Sequence, residues 1–156
     1  MTRQRDSASS SPRATTASLV LLVDSACDGR EMYAEYLRLE RCNILEADNT
    51  SDAMLCAARA DVIVTSIRVP GPFDGIELVR RLREDTRTKN KPIIVLTSCA
   101  FESDRQRAWA AGASAFLTKP CLPQSLAATI QRVLAVSSVR PHPAAARPKR
   151  SRRDVA

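Results

Sequence analysis

The chain has 156 residues, 44% of them apolar and 4% aromatic, with a formal net charge of +7. That length suits one domain with its own core, and no apolar run approaches the roughly 20 residues needed to span a bilayer, so a cytoplasmic protein is expected. Five cysteines (Cys27, Cys42, Cys56, Cys99 and Cys121), odd in number and without a C-x-x-C pair, indicate neither a disulfide framework nor a zinc site.

The basicity sits at the two ends. Residues 1–18 hold three arginines against Asp6, residues 139–156 hold six basic residues against Asp154, and residues 19–138 hold fifteen of each sign. The opening MTRQRDSASSSPRATTAS is Ser/Thr/Ala-rich without periodicity, which predicts a disordered tail over 1–18. The run Leu19–Val23 then reads as a first strand. A helical segment follows over Asp28–Arg41, with Met32, Tyr33, Tyr36 and Leu37 as its apolar stripe and Asp28 as its cap. Asn43–Glu46 predicts a second strand and Thr50–Arg59 a second helix. Asp61–Thr65 reads as a strand covered on both faces, bounded downstream by Pro70 and Gly71. Asp74 caps a third helix over Asp74–Glu84, in which Ile76, Val79 and Leu82 recur at helical spacing.

Pro92–Leu96 predicts the fourth strand, Glu102–Ala111 the fourth helix with Ser103 at its start, and Ser114–Thr118 the fifth strand. Pro123 opens the fifth helix, expected over Pro123–Val136. The closing stretch is Pro/Ala/Arg-rich, which predicts a disordered basic tail over 137–156 and leaves one domain over 19–136. Five β-α units imply right-handed crossovers and a flavodoxin-like, doubly wound (βα)5 three-layer sandwich with parallel strand order 2-1-3-4-5. No G-x-G-x-x-G follows the first strand, which excludes a dinucleotide site of that kind.

Ligands and chemistry in such a sheet gather at the carboxyl ends of its strands. Those ends carry Asp24 and Ser25, Ser66, Thr97 and Ser98, and Lys119 before Pro120. With these residues in LLVDS, DVIVTSIRVPGPFDGIELVRRLR, KPIIVLTS, RAWAAGASAFLTKP and SLAATIQRVL, the chain resembles the receiver domain of two-component response regulators over about residues 19–136. The resemblance implies no enzyme but a signalling domain. In it, an aspartate at the Ser66 position takes a phosphoryl group from a histidine kinase, and acidic residues at the Asp24 and Ser25 positions hold Mg²⁺. Thr97 and Lys119 contact the phosphoryl group, and Thr97 with Phe116 forms a switch between two surfaces.

This chain departs from the pattern where the chemistry is hardest. Ser66 stands at the phosphoacceptor position and Ser25 at one of the two acidic positions, leaving Asp24 alone. Mg²⁺ takes hard oxygen ligands, usually carboxylates, and an unactivated serine is a weak nucleophile, so neither Mg²⁺ binding nor phosphate transfer is expected. Asp61 lies five residues upstream of Ser66, about 16 Å along an extended strand and at its wrong end. Asp28 stays a weak candidate for a compensating acid. The loop PGPFDG carries one residue more between Gly71 and Asp74 than is usual in the resembling family.

Several residues admit two readings. Asp24 and Lys119 either pair with each other or retain a metal; Phe116 is either a switch or core. Trp109, flanked by Ala108, Ala110 and Ala111, is either an interface anchor or partly buried against a neighbouring helix. The segment RPKRSRR either stays solvated or meets phosphate backbones, acidic lipids or an acidic protein, although too few residues follow the fifth helix for a DNA-binding output domain. The leading expectation is a stand-alone, degenerate receiver that binds a histidine kinase or other signalling protein without phosphorylation. Its alternatives are a working phosphorelay receiver with a compensating acid and an adaptor acting through its basic tail.

Overall fold

The computed structural model describes residues 17–99 and 101–139. The expected disordered tails otherwise lie outside the described residues. Five strands alternate with five α-helices along the chain: β1 (Leu19–Val23), α1 (Cys27–Leu39), β2 (Asn43–Ala47), α2 (Thr50–Cys56, continued by a 3-10 turn over Ala57–Arg59), β3 (Val62–Thr65), α3 (Gly75–Glu84), β4 (Ile93–Thr97), α4 (Glu102–Ala111), β5 (Ala115–Thr118) and α5 (Pro123–Val139). All strand pairs are parallel, and the order is β2-β1-β3-β4-β5, as the sequence predicts. α5 runs past the boundary expected at 136.

Strand alternation sorts the core into two layers. Val20, Leu22, Val62, Val64, Ile94 and Leu96 face Tyr33, Ala34 and Leu37 of α1 and Leu126, Ile130 and Val133 of α5. Leu21, Val23, Ile63, Ile93, Val95 and Phe116 face the other layer, where α2, α3 and α4 contribute Ala53, Leu78, Val79, Leu82 and Ala108. Every residue of β3 and β4 is buried, as helices on both faces of a parallel sheet require. Each fully buried Val, Leu or Ile contributes about 1.5–3 kcal/mol by leaving water.

Local signals hold at some helix starts and shift at others. Asp74 caps α3, its carboxylate accepting the Glu77 amide at 2.9 Å. Asp28, by contrast, is no cap: it lies in the first turn of α1, whose N-cap is Ala26. Asp24 instead folds back on the chain and accepts the Ala26 amide at 2.9 Å, so the helix begins earlier than its polar residues suggest. Ser103 likewise falls inside α4, which follows Phe101 and carries Glu102 and Asp104 in its first turn, where carboxylates complement the helix dipole. Met32 is exposed, and Ala34 takes its expected place in the buried stripe of α1.

At the amino ends of β4 and β5 one cation organises the backbone. Arg83 donates to the carbonyls of Gly112 at 2.9 Å, Lys89 at 3.0 Å and Lys91 at 2.6 Å, and to Ser114 Oγ at 3.2 Å. Burial holds its guanidinium pKa below the usual arginine value, and these four oxygens give each of its nitrogens a hydrogen-bond partner. Arg83→Met keeps the aliphatic stem and removes the donors; an expected loss of about 2 kcal/mol of stability is measured by urea unfolding against the parent chain.

Candidate functional site

The carboxyl ends of β1, β3, β4 and β5 bring Asp24, Ser66, Thr97 and Lys119 to one edge of the sheet. Ser66 continues β3 in register, its amide donating to the Val23 carbonyl at 2.9 Å. It is 9% exposed, and its own carbonyl accepts Thr65 Oγ1 at 2.9 Å. The start of α3 presses directly on this turn. A Cβ at Gly75 would stand 1.8 Å from the Ser66 carbonyl oxygen, so only glycine lets the helix begin there.

Each carboxylate oxygen of Asp24 has a partner. Oδ1 accepts the Ala26 amide and Oδ2 accepts Lys119 Nζ in an ion pair whose side chains are 16% and 23% exposed, respectively. Of the two readings of these residues, the ion pair is the one present. Lys119 is held from behind as well, its amide donating to the Thr97 carbonyl at 2.9 Å, and a cis peptide bond joins it to Pro120. Thr97 is 1% exposed and its hydroxyl accepts the Cys99 amide at 3.2 Å. Phe116 is packed in the core layer under α3 and α4, with the Arg105 guanidinium 4.9 Å above its ring.

Ser25 is exposed beside Asp24. Asp28 is exposed on the first turn of α1, and Asp61 sits at the far end of the sheet, where its carboxylate accepts the Leu19 amide at 2.7 Å. Trp109 lies on the outer side of α4, 48% exposed, while Ala108 is fully buried.

Three residues that sequence reasoning passes over shape the pocket. Arg30, one turn into α1, donates to the Asp24 carbonyl at 2.6 Å and pairs with Glu46 at 3.0 Å, fixing the loop that carries Asp24. Tyr33 donates its hydroxyl to the Cys121 carbonyl at 2.7 Å, tying α1 to the loop beyond Lys119; burial raises its pKa. Thr50, fully buried, donates through its hydroxyl to the Phe73 carbonyl at 2.9 Å and through its amide to the Pro70 carbonyl at 2.9 Å. That staple holds the long loop after Ser66, where Gly71 takes φ 132° against Thr50. Beneath the site lies a cavity of about 10 Å³ lined by Asp24, Arg30, Tyr33, Ser66 and neighbouring apolar residues. It is no larger than about one water.

The donor set does not fit Mg²⁺. Its single carboxylate already accepts an amide and an ammonium, Ser25 and Ser66 are neutral, and among the described residues no group of three or more His, Cys, Asp and Glu could hold a metal. The pocket therefore balances one anion with one cation and needs no added ion to do so.

Two perturbations test this geometry. Gly75→Ala forces a backbone shift at Ser66 and costs about 3 kcal/mol in chemical unfolding, far above the few tenths expected at an exposed helix start. A double-mutant cycle of Asp24→Asn and Lys119→Met gives a coupling of about 1 kcal/mol, small because the pair is partly solvated.

Comparison with known proteins agrees with this architecture. Residues 20–131 match the family model of the response regulator receiver domain. The phosphate regulon transcriptional regulatory protein PhoB of Pseudomonas aeruginosa is 37% identical over 117 residues, covering 74% of this chain and 51% of PhoB, so the chain spans about half the length of that relative. Protein PilH of the same organism is 33% identical over 120 residues, covering 74% of this chain and 97% of PilH. The structure of the chemotaxis response regulator CheY4 of Vibrio cholerae superposes with a TM-score of 0.70 at 32% identity, covering 76% of this chain and 99% of that one. With the parallel order and this match in agreement, the chain belongs to the response regulator receiver family of two-component signalling.

Proposed function

We propose that this receiver domain acts as a phosphorylation-independent binding module for a signalling protein, a histidine kinase or another regulator. The observation that carries the reading is the contact of Lys119 with Asp24 beside a neutral Ser66. Acyl-phosphate formation needs a carboxylate nucleophile at the strand end and a cation that offsets charge on the transferring oxygens. Ser66 offers a hydroxyl in place of a carboxylate, and Lys119, at the same edge of the sheet, is already paired with Asp24.

The binding face in this proposal is the α4, β5 and α5 side. Trp109 is half-exposed there and Phe101, at the start of α4, is 71% exposed. Large aromatics that remain solvated in the free chain are suited to anchoring a partner. Among the described residues no helix is long and apolar enough to cross a membrane.

The test is the intact mass of the chain after incubation with Mg²⁺ and a small phosphodonor, beside a Ser25→Asp/Ser66→Asp variant. Only the variant is expected to gain a phosphoryl group. Labelling of the parent chain overturns the proposal, and mapping the modified residue then identifies the compensating side chain. In a pull-down from the host, Trp109→Ala is expected to weaken capture of a kinase or regulator about tenfold or more, as loss of an interface anchor does, without changing the melting temperature.

A further inference from the structure

A second concavity lies at the opposite end of the sheet from Ser66. Its volume is about 690 Å³, and it opens between the amino ends of β4 and β5 and the last turns of α5. Four basic residues line it, Arg83, Lys89, Lys91 and Arg132, and no carboxylate does. Arg83 and Lys91 are tied down by backbone oxygens, Lys91 Nζ donating to the Ala60 carbonyl. Carbonyls satisfy hydrogen bonds without cancelling a formal charge, so the floor stays cationic. Lys89 and Arg132 make no ion pair among the described residues, although Arg30, Arg38, Arg80, Arg81, Arg87, Arg107 and Lys119 all do.

The charge distribution of the chain makes this end distinctive. Between residues 105 and 139 there is no Asp or Glu at all, so α5 brings no acid to its own groove. Residues 140–156, which continue from the rim of the groove, hold six basic residues against Asp154 and have the wrong sign to fill it. The rest of the lining combines apolar Pro92, Ala113, Val133 and Val136 with neutral polar Asn90, Ser114 and Ser137. No aromatic side chain lines it, so nucleic-acid bases would have nothing to stack on.

We propose that this groove is a docking site for an acidic protein segment that carries apolar side chains between its carboxylates. Carboxylates meet Lys89 and Arg132, and the apolar side chains cover Val133, Val136 and Pro92. An extended segment presents side chains to one face at every second position, which suits a slot of this kind. The site is separate from the strand-end pocket and does not depend on what occupies position 66.

The experiment is two-dimensional NMR of the full chain titrated with a synthetic peptide of Glu-Glu-Leu repeats, beside a Glu-only peptide and a short oligodeoxythymidine. Shifts are expected at Lys89, Ala113, Ser114 and Val133, with the Glu-only peptide weaker, and added salt is expected to lower the affinity. Lys89→Glu/Arg132→Glu is expected to weaken binding about tenfold or more, as loss of two ion pairs implies. The milder Lys89→Gln/Arg132→Gln, with circular dichroism as a check on folding, is expected to show a smaller loss in the same direction. Ser66→Asp and deletion of residues 140–156 are expected to leave binding unchanged. Unshifted groove resonances, or charge-reversed variants that bind as the parent does, overturn the proposal. So does tighter groove binding by oligodeoxythymidine, which would mark a phosphate-polymer site, or loss of binding on tail deletion alone.

Discussion

Burial of β3 and β4 on both faces is the constraint from which the site follows. A strand with no solvated side leaves room for polar side chains only where it ends, and all five strands end in the same direction because their pairing is parallel. Thr65, Ser66 and Thr97 are buried polar residues at those ends, and each finds backbone partners there through its hydroxyl or its main chain. The edge is thus built by packing, independently of whether any reaction takes place on it. Gly75 shows how tight that packing is, since α3 starts against the carbonyl of Ser66 itself.

What the edge can do is then decided by charge. A phosphoryl-accepting pocket needs surplus negative charge to attract a divalent cation, which in turn offsets the incoming phosphoryl oxygens. Here a single carboxylate faces a single ammonium, and the pair satisfies both. Ser25 and Ser66 add hydroxyls and no further charge to the set. The pair also joins the loops after β1 and β5, and Tyr33 adds a second tie from α1 to the same loop. The pocket is consequently a cross-linked corner.

Most of the fold was legible in the sequence because it rests on periodicity. The strand runs, the apolar face of α3 and the Asp74 cap follow from patterns a few residues long, and the strand order from five β-α units taken together. The misses share one cause. Asp28 and Ser103 have the right side chains to cap helices, but the loops before them set the first turn by other contacts, so each falls inside its helix. Arg30, Thr50 and Arg83 owe their roles to carbonyls brought near by the fold, at sequence separations of 6, 23 and 29 residues. No local pattern distinguishes an arginine that will meet three carbonyls from one that will stay in solvent. The sequence placed Asp24, Ser66, Thr97 and Lys119 on one edge but not Arg30, Tyr33 or Thr50 beside them; that Asp24 and Lys119 pair was one of two open alternatives until their loops were placed.

A binding module without a titrating or phosphorylated group obeys simple energetics. An input can shift a conformational equilibrium only by its differential affinity for the two states. With Asp24 and Lys119 already paired, the strand-end corner offers no charge change by which to prefer one surface over another, so under the proposed reading Thr97 and Phe116 stay where the core holds them. Occupancy of the partner would then be governed by concentration and affinity alone, and any regulation would have to enter from outside that corner.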